Sequence, residues 1–508
     1  MKIHLFVTLI IPVVVIFCSS FTADAATPSR PNILFILTDD QNYDTIGCYG
    51  GEVLTPTMDR LAGEGTRFTQ AFTVHGICTP SRYVCLTGQY ASRCETEGFL
   101  RLCPTGTPAI VGFNVQTPPG SWTVAKELQT AGYVTGFFGK WHTGAPGRTR
   151  LPADSDLGNP EVKRKLQADQ DALCAYVRGA GFDVAERVYH GNLDSYQLDG
   201  LQVHNQEWIA EGALNFLDAQ KNSGKPFYLH LCTTLQHSPP PYLSIAGDPR
   251  VTPVGLIDKA PQVQAARETI APRLKKAGIM PRMGHATWLD DTFAALIDKL
   301  EQHGMLDNTA ILVFSDNATM KGKGTNYEGG VKVPAFVYWK GHFKPGVVSP
   351  ALIGNIDYVP TILEIAGIPK PAEQIFDGES FLPIVKGENN VPWRDAIYLE
   401  VGHSRAVRTD KWKYLTVRYA PSTQKMIDAG TLGRQPWHAD TVFDLQAVAE
   451  KNHPFYWDMD QLYDMENDPT EQKNLIADPK YAEVLKELKL KHAEMSKRFP
   501  RPYGEFNP

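Results

Sequence analysis

Two apolar runs in this chain end in side-chain oxygens. NILFILTDD closes on Asp39 and Asp40, and NTAILVFSDN closes on Asp316 and Asn317. Asp and Asn favour turns, so either pair alone is ordinary loop chemistry. Together, at the ends of two matching runs, they form a set of four hard oxygen donors of the kind that holds calcium or magnesium. Cations follow other runs. Lys140 and His142 stand two apart in FGKWH, where an extended backbone would aim both the same way. His237 comes after KPFYLHLCTT, and Lys323 sits in GKGTNYEGG shortly after Asp316 and Asn317. A lone Lys or His is most often a solvated surface group. Cations placed after three separate runs have the pattern of a compact anion pocket.

A further stretch, CTPSRYVCLTG, begins at Cys78. Thr79-Pro80 reads as a helix start, because proline is tolerated in the first turn. Cys78 would then lie at a helix N-terminus, where free N–H groups favour negative charge, with Arg82 one turn on and on the same side. A disulfide half, a low-pKa redox thiolate and the precursor of another group all remain open. A thiolate is a soft ligand, poorly matched to a hard-cation oxygen cage.

These residues need a frame. The runs Asn32–Asp40, Tyr133–His142, Lys225–Thr234 and Asn308–Asn317 are continuously apolar, as suits parallel strands covered on both faces. Between them lie amphipathic stretches: WTVAKELQTAG after a Ser121 cap, and TWLDDTFAALIDKLEQHG from Thr287 to Gly304. The expected fold class is α/β, a large mainly parallel sheet sandwiched by helices, with a smaller C-terminal α+β domain. Boundaries are expected at residues 26–385 for the catalytic domain and 386–508 for the smaller one. The latter would hold antiparallel strands in RDAIYLEVG, AVRTDKWKYLTVRY and QLYDMENDP, then a helix from about Tyr481 to Lys497. The polar stretch Pro146–Gln170 reads as an irregular inserted loop.

Composition bounds the rest. The chain has 508 residues, 43% hydrophobic and 21% charged, with a net charge of -6. That is a globular composition, and without a basic run it excludes a nucleic-acid surface. Residues 1–25 read as a signal peptide: Lys2, an apolar run from Leu5 to Phe17 and small residues at Ala23-Asp24-Ala25. The run is too short for stable membrane insertion, so export to the periplasm or the medium is expected. Eight cysteines become seven once Cys18 leaves with the leader, so at least one has a fate other than an intramolecular disulfide. Cys94 and Cys103 could bridge a local loop.

The C-T-P-S-R element with LTG, the DD-terminated first run, GKWH, SDN and GKGTNYEGG closely resemble the type I sulfatases of the alkaline-phosphatase superfamily. The likeness extends to NIDYVPTILEIAGI (Asn355 to Ile368), AVRTDKWKYL and LYDMENDPTEQKNL. The resemblance implies that a formylglycine-generating maturation enzyme oxidises Cys78 to formylglycine. Its hydrate would be an oxygen nucleophile able to meet a hard cation, which removes the mismatch above. It implies that Asp39, Asp40, Asp316, Asn317 and the modified Cys78 hold one calcium ion. Arg82 would stabilise the hydrated aldehyde, and Lys140, His237 and Lys323 would grip the sulfate. Asp316 would activate the attacking oxygen, His237 or Lys323 would help the alcohol depart, and His142 would take the last proton. Ala318, Gln236 and Lys332 depart from the usual pattern, and Lys321 is an alternative to Lys323. The expected substrate is a sulfated carbohydrate, recognised by loops that include the insert after His142 and the Arg405–Tyr419 region. Two other readings are a phosphonate monoester or phosphodiester hydrolase of the same superfamily and a catalytically silent glycan-binding protein.

Overall fold

A computed structural model of the chain describes residues 30–388, 391–419, 421–431 and 443–501. The expected signal peptide lies outside the described residues. Strands β1 (Asn32–Thr38), β2 (Thr66–Phe72), β3 (Val134–Lys140), β4 (Val184–Tyr189) and β5 (Phe227–Cys232) are followed by a short pair, β6 (Val251–Thr252) and β7 (Gly255–Leu256). Then come β8 (Thr309–Ser315), β9 (Ala335–Tyr338) and β10 (Val347–Gly354). Eight of these form one sheet in the order β10-β2-β9-β8-β1-β5-β3-β4. β9 runs antiparallel to both neighbours, while the remaining pairs are parallel.

The continuous apolar runs have the expected cause. Every residue of β1 is buried. Ile33, Phe35 and Leu37 enter one core and Leu34 and Ile36 the other, so helices cover both faces of the sheet. Each such side chain contributes about 2 kcal/mol by leaving water. Seven parallel strands point their carboxyl ends the same way, and that edge is where ligands gather in open α/β sheets.

A second, antiparallel sheet in the order β11-β12-β13-β14 contains β11 (Ala396–Val401), β12 (Ser404–Thr409), β13 (Trp412–Val417) and β14 (Asp460–Asp464). A helix over Ala482–Ser496 follows. Leu399, Val407 and Leu415 of this sheet share a core with Val84, Tyr327 and Ile356 from the large-sheet part.

Local expectations need correction in four places. The stretch Pro146–Gln170 is not wholly irregular: Pro160–Arg178 is a helix whose Asn159 cap accepts from Glu161 and Val162, with Leu166, Leu173 and Val177 buried. Its exposed face is highly charged, which hid the periodicity. Thr123, not Ser121, caps the earlier helix Val124–Thr130. The helix expected from Thr287 begins at Gly284. Cys94 and Cys103 are free and buried in a small cluster with Tyr83 and Phe99, and none of the described cysteines is in a disulfide.

Candidate active site

The candidate side chains lie at the carboxyl edge of the large sheet, and all but His142 are in contact with one another there. Thr38 pairs with Ser315, so Asp39-Asp40 and Asp316-Asn317 leave β1 and β8 side by side. The Asp40 N–H donates to Asp316 Oδ1 at 3.1 Å, and the Asn317 amide donates to Asp40 Oδ1 at 2.6 Å. Cys78 opens a helix running to Thr87, where Gly88 adopts a left-handed φ of 68° as its C-cap. Asp39, Asp40, Cys78 and Asp316 each bring a ligand atom within 4.8 Å of the others.

Each carboxylate has a cation. The Lys140 ammonium donates to Asp39 Oδ2 at 2.7 Å, and the Lys323 ammonium to Asp40 Oδ2 at 2.6 Å. Arg82 donates through Nε to Asp316 Oδ2 at 2.9 Å and through Nη1 to the Lys140 carbonyl at 2.8 Å. Its Nη2 lies 3.3 Å from Asp39 Oδ1. His237 Nε2 is 3.8 Å from Asp40 Oδ2, while its Nδ1 faces the Ser238 carbonyl at 2.9 Å. Three buried acids therefore face three buried cations, a balance that a divalent cation and an anionic ester could enter together.

Burial and these neighbours set the titration of the group. Burial raises Asp39, but Lys140 and Arg82 outweigh it and hold the carboxyl well below its usual range. Asp316 is pushed up to about 7, by burial first and then by Asp39. Burial also pushes the Cys78 thiol up, with Lys140 and Lys323 opposing it only in part. A low-pKa thiolate is therefore not what this site stabilises. His142 is driven down by burial, then by Lys140 and Arg82, and His237 by burial and Lys323.

One sequence expectation changes. Lys140 and His142 do not share an extended backbone: His142 takes a left-handed φ of 59°. It stands 5.7 Å from the Phe113 ring, and a Cβ on Gly191 would come within 2.8 Å of its Cδ2. Lys323 rather than Lys321 reaches the cluster, since Lys321 is exposed. Gln236, despite its departure from pattern, leaves His237 facing Asp40.

The sulfatase profile matches residues 31–368, and the C-terminal profile of N-sulphoglucosamine sulphohydrolase matches residues 320–450. The chain belongs to the sulfatase family. It is a sulfuric ester hydrolase of the type I sulfatase group. The sulfatase is 28% identical to arylsulfatase A of Homo sapiens over 94% of this chain and 90% of that protein. It is 27% identical to an ulvan-active sulfatase of Formosa agariphila, over 92% of this chain and 80% of the other. An N-acetylgalactosamine-6-O-sulfatase of Bacteroides thetaiotaomicron is 24% identical over 90% of this chain and 92% of its own length. Two solved structures share the fold. BT4656, in complex with its substrate D-glucosamine-2-N,6-O-disulfate, gives a TM-score of 0.60 at 21% identity, covering 93% of this chain and 98% of that one. Ps i-CgsB with k-i-k-neocarrahexaose gives 0.59 at 22%, covering 94% and 95%.

The sulfatase site fits a hard metal ion. Asp39 Oδ1 and Asn317 Oδ1 are buried and accept no hydrogen bond among the described residues. An orphaned amide oxygen and a carboxylate oxygen touched only by Arg82 at 3.3 Å, beside two further carboxylates, are the donor chemistry that calcium or magnesium takes.

Sequence reasoning missed two supporting residues. Asn355 accepts from the Val74 N–H at 3.0 Å and donates to Ser81 Oγ at 3.0 Å, fixing the helix that carries Cys78 and Arg82. NIDYV contains it, but nothing in that spacing says what it holds. His204 braces the His237 loop through Thr234 Oγ1 at 3.0 Å and the Pro239 carbonyl at 2.9 Å. Conversely, Arg405 is buried and donates to the carbonyls of Gly402, Ser404 and Ala109, each at 2.8 Å, so its guanidinium is engaged within the fold.

Proposed function

We propose that the protein is an exported sulfatase that removes sulfate from a sulfated carbohydrate, using formylglycine made from Cys78 and one calcium ion. The observation that carries the reading is the meeting of Asp39, Asp40, Asp316 and Cys78 within 4.8 Å, ringed by Arg82, Lys140, His237 and Lys323. A carbohydrate substrate is supported by the names of two relatives, the ulvan-active and N-acetylgalactosamine-6-O-sulfatases, and by the sugars in the two complexes. Export rests on the leader, residues 1–25. Among the described residues, no helix is long and apolar enough to cross a membrane. The catalytic domain is taken as residues 26–385 and the smaller domain as 386–508. A formylglycine-generating enzyme is the required maturation partner.

Asp39, Asp40, Asp316, Asn317 and an oxygen of the modified Cys78 would hold calcium, which supplies positive charge against the sulfate and the hydrated aldehyde that is the nucleophile. Lys140, Lys323 and His237 would bind the sulfate oxygens and offset charge on the departing alcohol, a contribution that grows as charge develops. Arg82 is locked by Asp316 and the Lys140 carbonyl and would neutralise oxyanion character at residue 78. Asp316, held beside residue 78 by Arg82, is the carboxylate placed to take the proton of the attacking oxygen. His237 Nδ1 is turned to a carbonyl and so carries hydrogen, leaving Nε2 as the atom that faces the cluster. His142 Nδ1 is buried without a partner among the described residues, and burial keeps the ring neutral, so it can accept a proton.

Mass spectrometry of the peptide containing residue 78, metal analysis of the purified protein, and sulfate release across a panel of sulfated glycans test this reading. An intact thiol in active enzyme would overturn the formylglycine assignment. Faster turnover of a phosphodiester or phosphonate monoester than of a sulfate ester with the same aryl leaving group would overturn the substrate assignment.

A further inference from the structure

Behind Lys323 lies a second charged cluster that takes no part in the chemistry above. Lys413 on β13 is 0% exposed. Its ammonium donates to Glu471 Oε1 at 2.7 Å and to the Asn326 carbonyl at 2.9 Å, and Glu328 Oε1 lies 2.9 Å away. Arg408 on β12 donates to the same Glu328 oxygen at 3.0 Å, and the Glu328 N–H donates to Glu471 Oε2 at 2.8 Å. All four side chains are buried. An ammonium has three N–H donors. Here each has an acceptor, so Lys413 has no donor left for a substrate anion.

What it holds is the loop of the catalytic lysine. Asn326 and Glu328 follow Lys323 in the same segment, and Asn326 also donates to Ser404 Oγ on β12 at 3.0 Å. The other side of that segment abuts the chain entering the Cys78 helix. The Gly324 N–H donates to the Gly76 carbonyl at 2.9 Å, and the Thr73 N–H to the Val331 carbonyl at 2.8 Å. A Cβ on Gly76 would stand 2.6 Å from the Thr325 carbonyl oxygen, so the two backbones are in close contact. The loop is thus clamped between the small sheet and the approach to residue 78.

We propose that Lys413 is a positioning residue, a buried ammonium from the small sheet that fixes the 323–328 loop so that Lys323 reaches Asp40 beside Cys78. The inference rests on the role given to Lys323 above. It makes the small sheet part of the catalytic apparatus without contact with substrate.

A double-mutant cycle on kcat/KM for an aryl sulfate tests it, with melting temperature followed alongside. If Lys413 acts through Lys323, the two effects share one interaction and do not multiply. Lys413→Met is expected to lower kcat/KM by about 100-fold in the native background and by less than about threefold on top of Lys323→Ala. Its effect on melting temperature should be the same in both backgrounds. Since Lys413→Met alone leaves two buried carboxylates short of a cation and could prevent folding, the cycle is also run with Lys413→Met/Glu471→Gln, which removes one charge of each sign. Equal fold-losses in both backgrounds would overturn the link to Lys323. Unchanged turnover in Lys323→Ala would overturn the assignment of Lys323 and the link with it.

Discussion

Arg82 and Asp316 meet twice on one carboxylate oxygen, through Nε at 2.9 Å and Nη2 at 2.8 Å, although 234 residues separate them in the chain. The pair ties the helix that begins at Cys78 to the strand end that carries Asn317. Burial alone would lower the affinity of Arg82 for its proton, but Asp316 and Asp39 outweigh that and raise it, so the group is permanently charged. A lysine there has one point charge and no planar fork, and could not reach both Asp316 and the Lys140 carbonyl. Arg82→Lys is therefore expected to destabilise the fold by about 3 kcal/mol, as for a broken buried pair, and to suppress turnover. Chemical denaturation and kcat measure the two effects, and native values for both would refute the argument.

The two lysines of KGK separate cleanly. Lys323 is buried against Asp40 and Lys321 is exposed. Lys323→Ala should cost about 100-fold or more in kcat/KM, the scale of removing one transition-state cation or donor. Lys321→Ala should change it by less than about twofold. Steady-state kinetics on one aryl sulfate decide, and the reverse ranking would move the catalytic assignment to Lys321.

Metal removal should be visible in stability as well as in activity. With Asp39, Asp40 and Asp316 gathered in one buried cluster, a bound divalent cation stabilises the native state in proportion to its free concentration. The protein after chelation is expected to melt lower and to lose turnover, and calcium should restore both in a concentration-dependent way. Full activity after chelation, with no metal found on analysis, would remove calcium from the site.

Gly139 deserves its place in FGKWH on steric grounds. It adopts a φ of 93°, in the left-handed region, and a Cβ there would lie 1.7 Å from the Cys232 carbonyl oxygen. Gly139→Ala must push β3 from β5 and drag Lys140 with it. A clear drop in melting temperature, with loss of activity, is expected from thermal unfolding and rate assays. A native melting curve would contradict this.

A pH effect on stability should arise outside the candidate active site. Asp290 accepts from the Thr57 and Met58 N–H groups at 3.1 and 2.8 Å, and burial pushes its carboxyl up to about 7. A carboxyl raised on folding contributes stability that is complete below its unfolded pKa and is lost as pH rises through the folded value. The native protein should therefore lose stability between about pH 4 and pH 8 relative to an Asp290→Asn variant. Denaturant midpoints for both proteins across that range measure the difference, and parallel curves would show that Asp290 does not titrate there.

Much of the frame was legible in order along the chain. Continuous apolar runs ending in Asp39-Asp40, Lys140 and Asp316-Asn317 gave both the parallel strands and their ligand-bearing ends, because strand burial on two faces writes itself into adjacent residues. The start of the Cys78 helix was legible for a similar reason, since Thr79-Pro80 is a local signal. The helix at Pro160–Arg178 was missed because its charged face masked a narrow buried stripe.

Pairings across the fold were decided elsewhere. That Lys323 meets Asp40, that His142 leaves the extended backbone, and that Lys413 stands behind the lysine loop all depend on groups far apart in the chain. The protein's sequence determined which residue types stand at the strand ends, since burial and capping act between neighbours. Only the tertiary structure decided which charge faces which. A buried ion needs its partner within a few ångströms in space, and the distance along the chain places no limit on where that partner comes from.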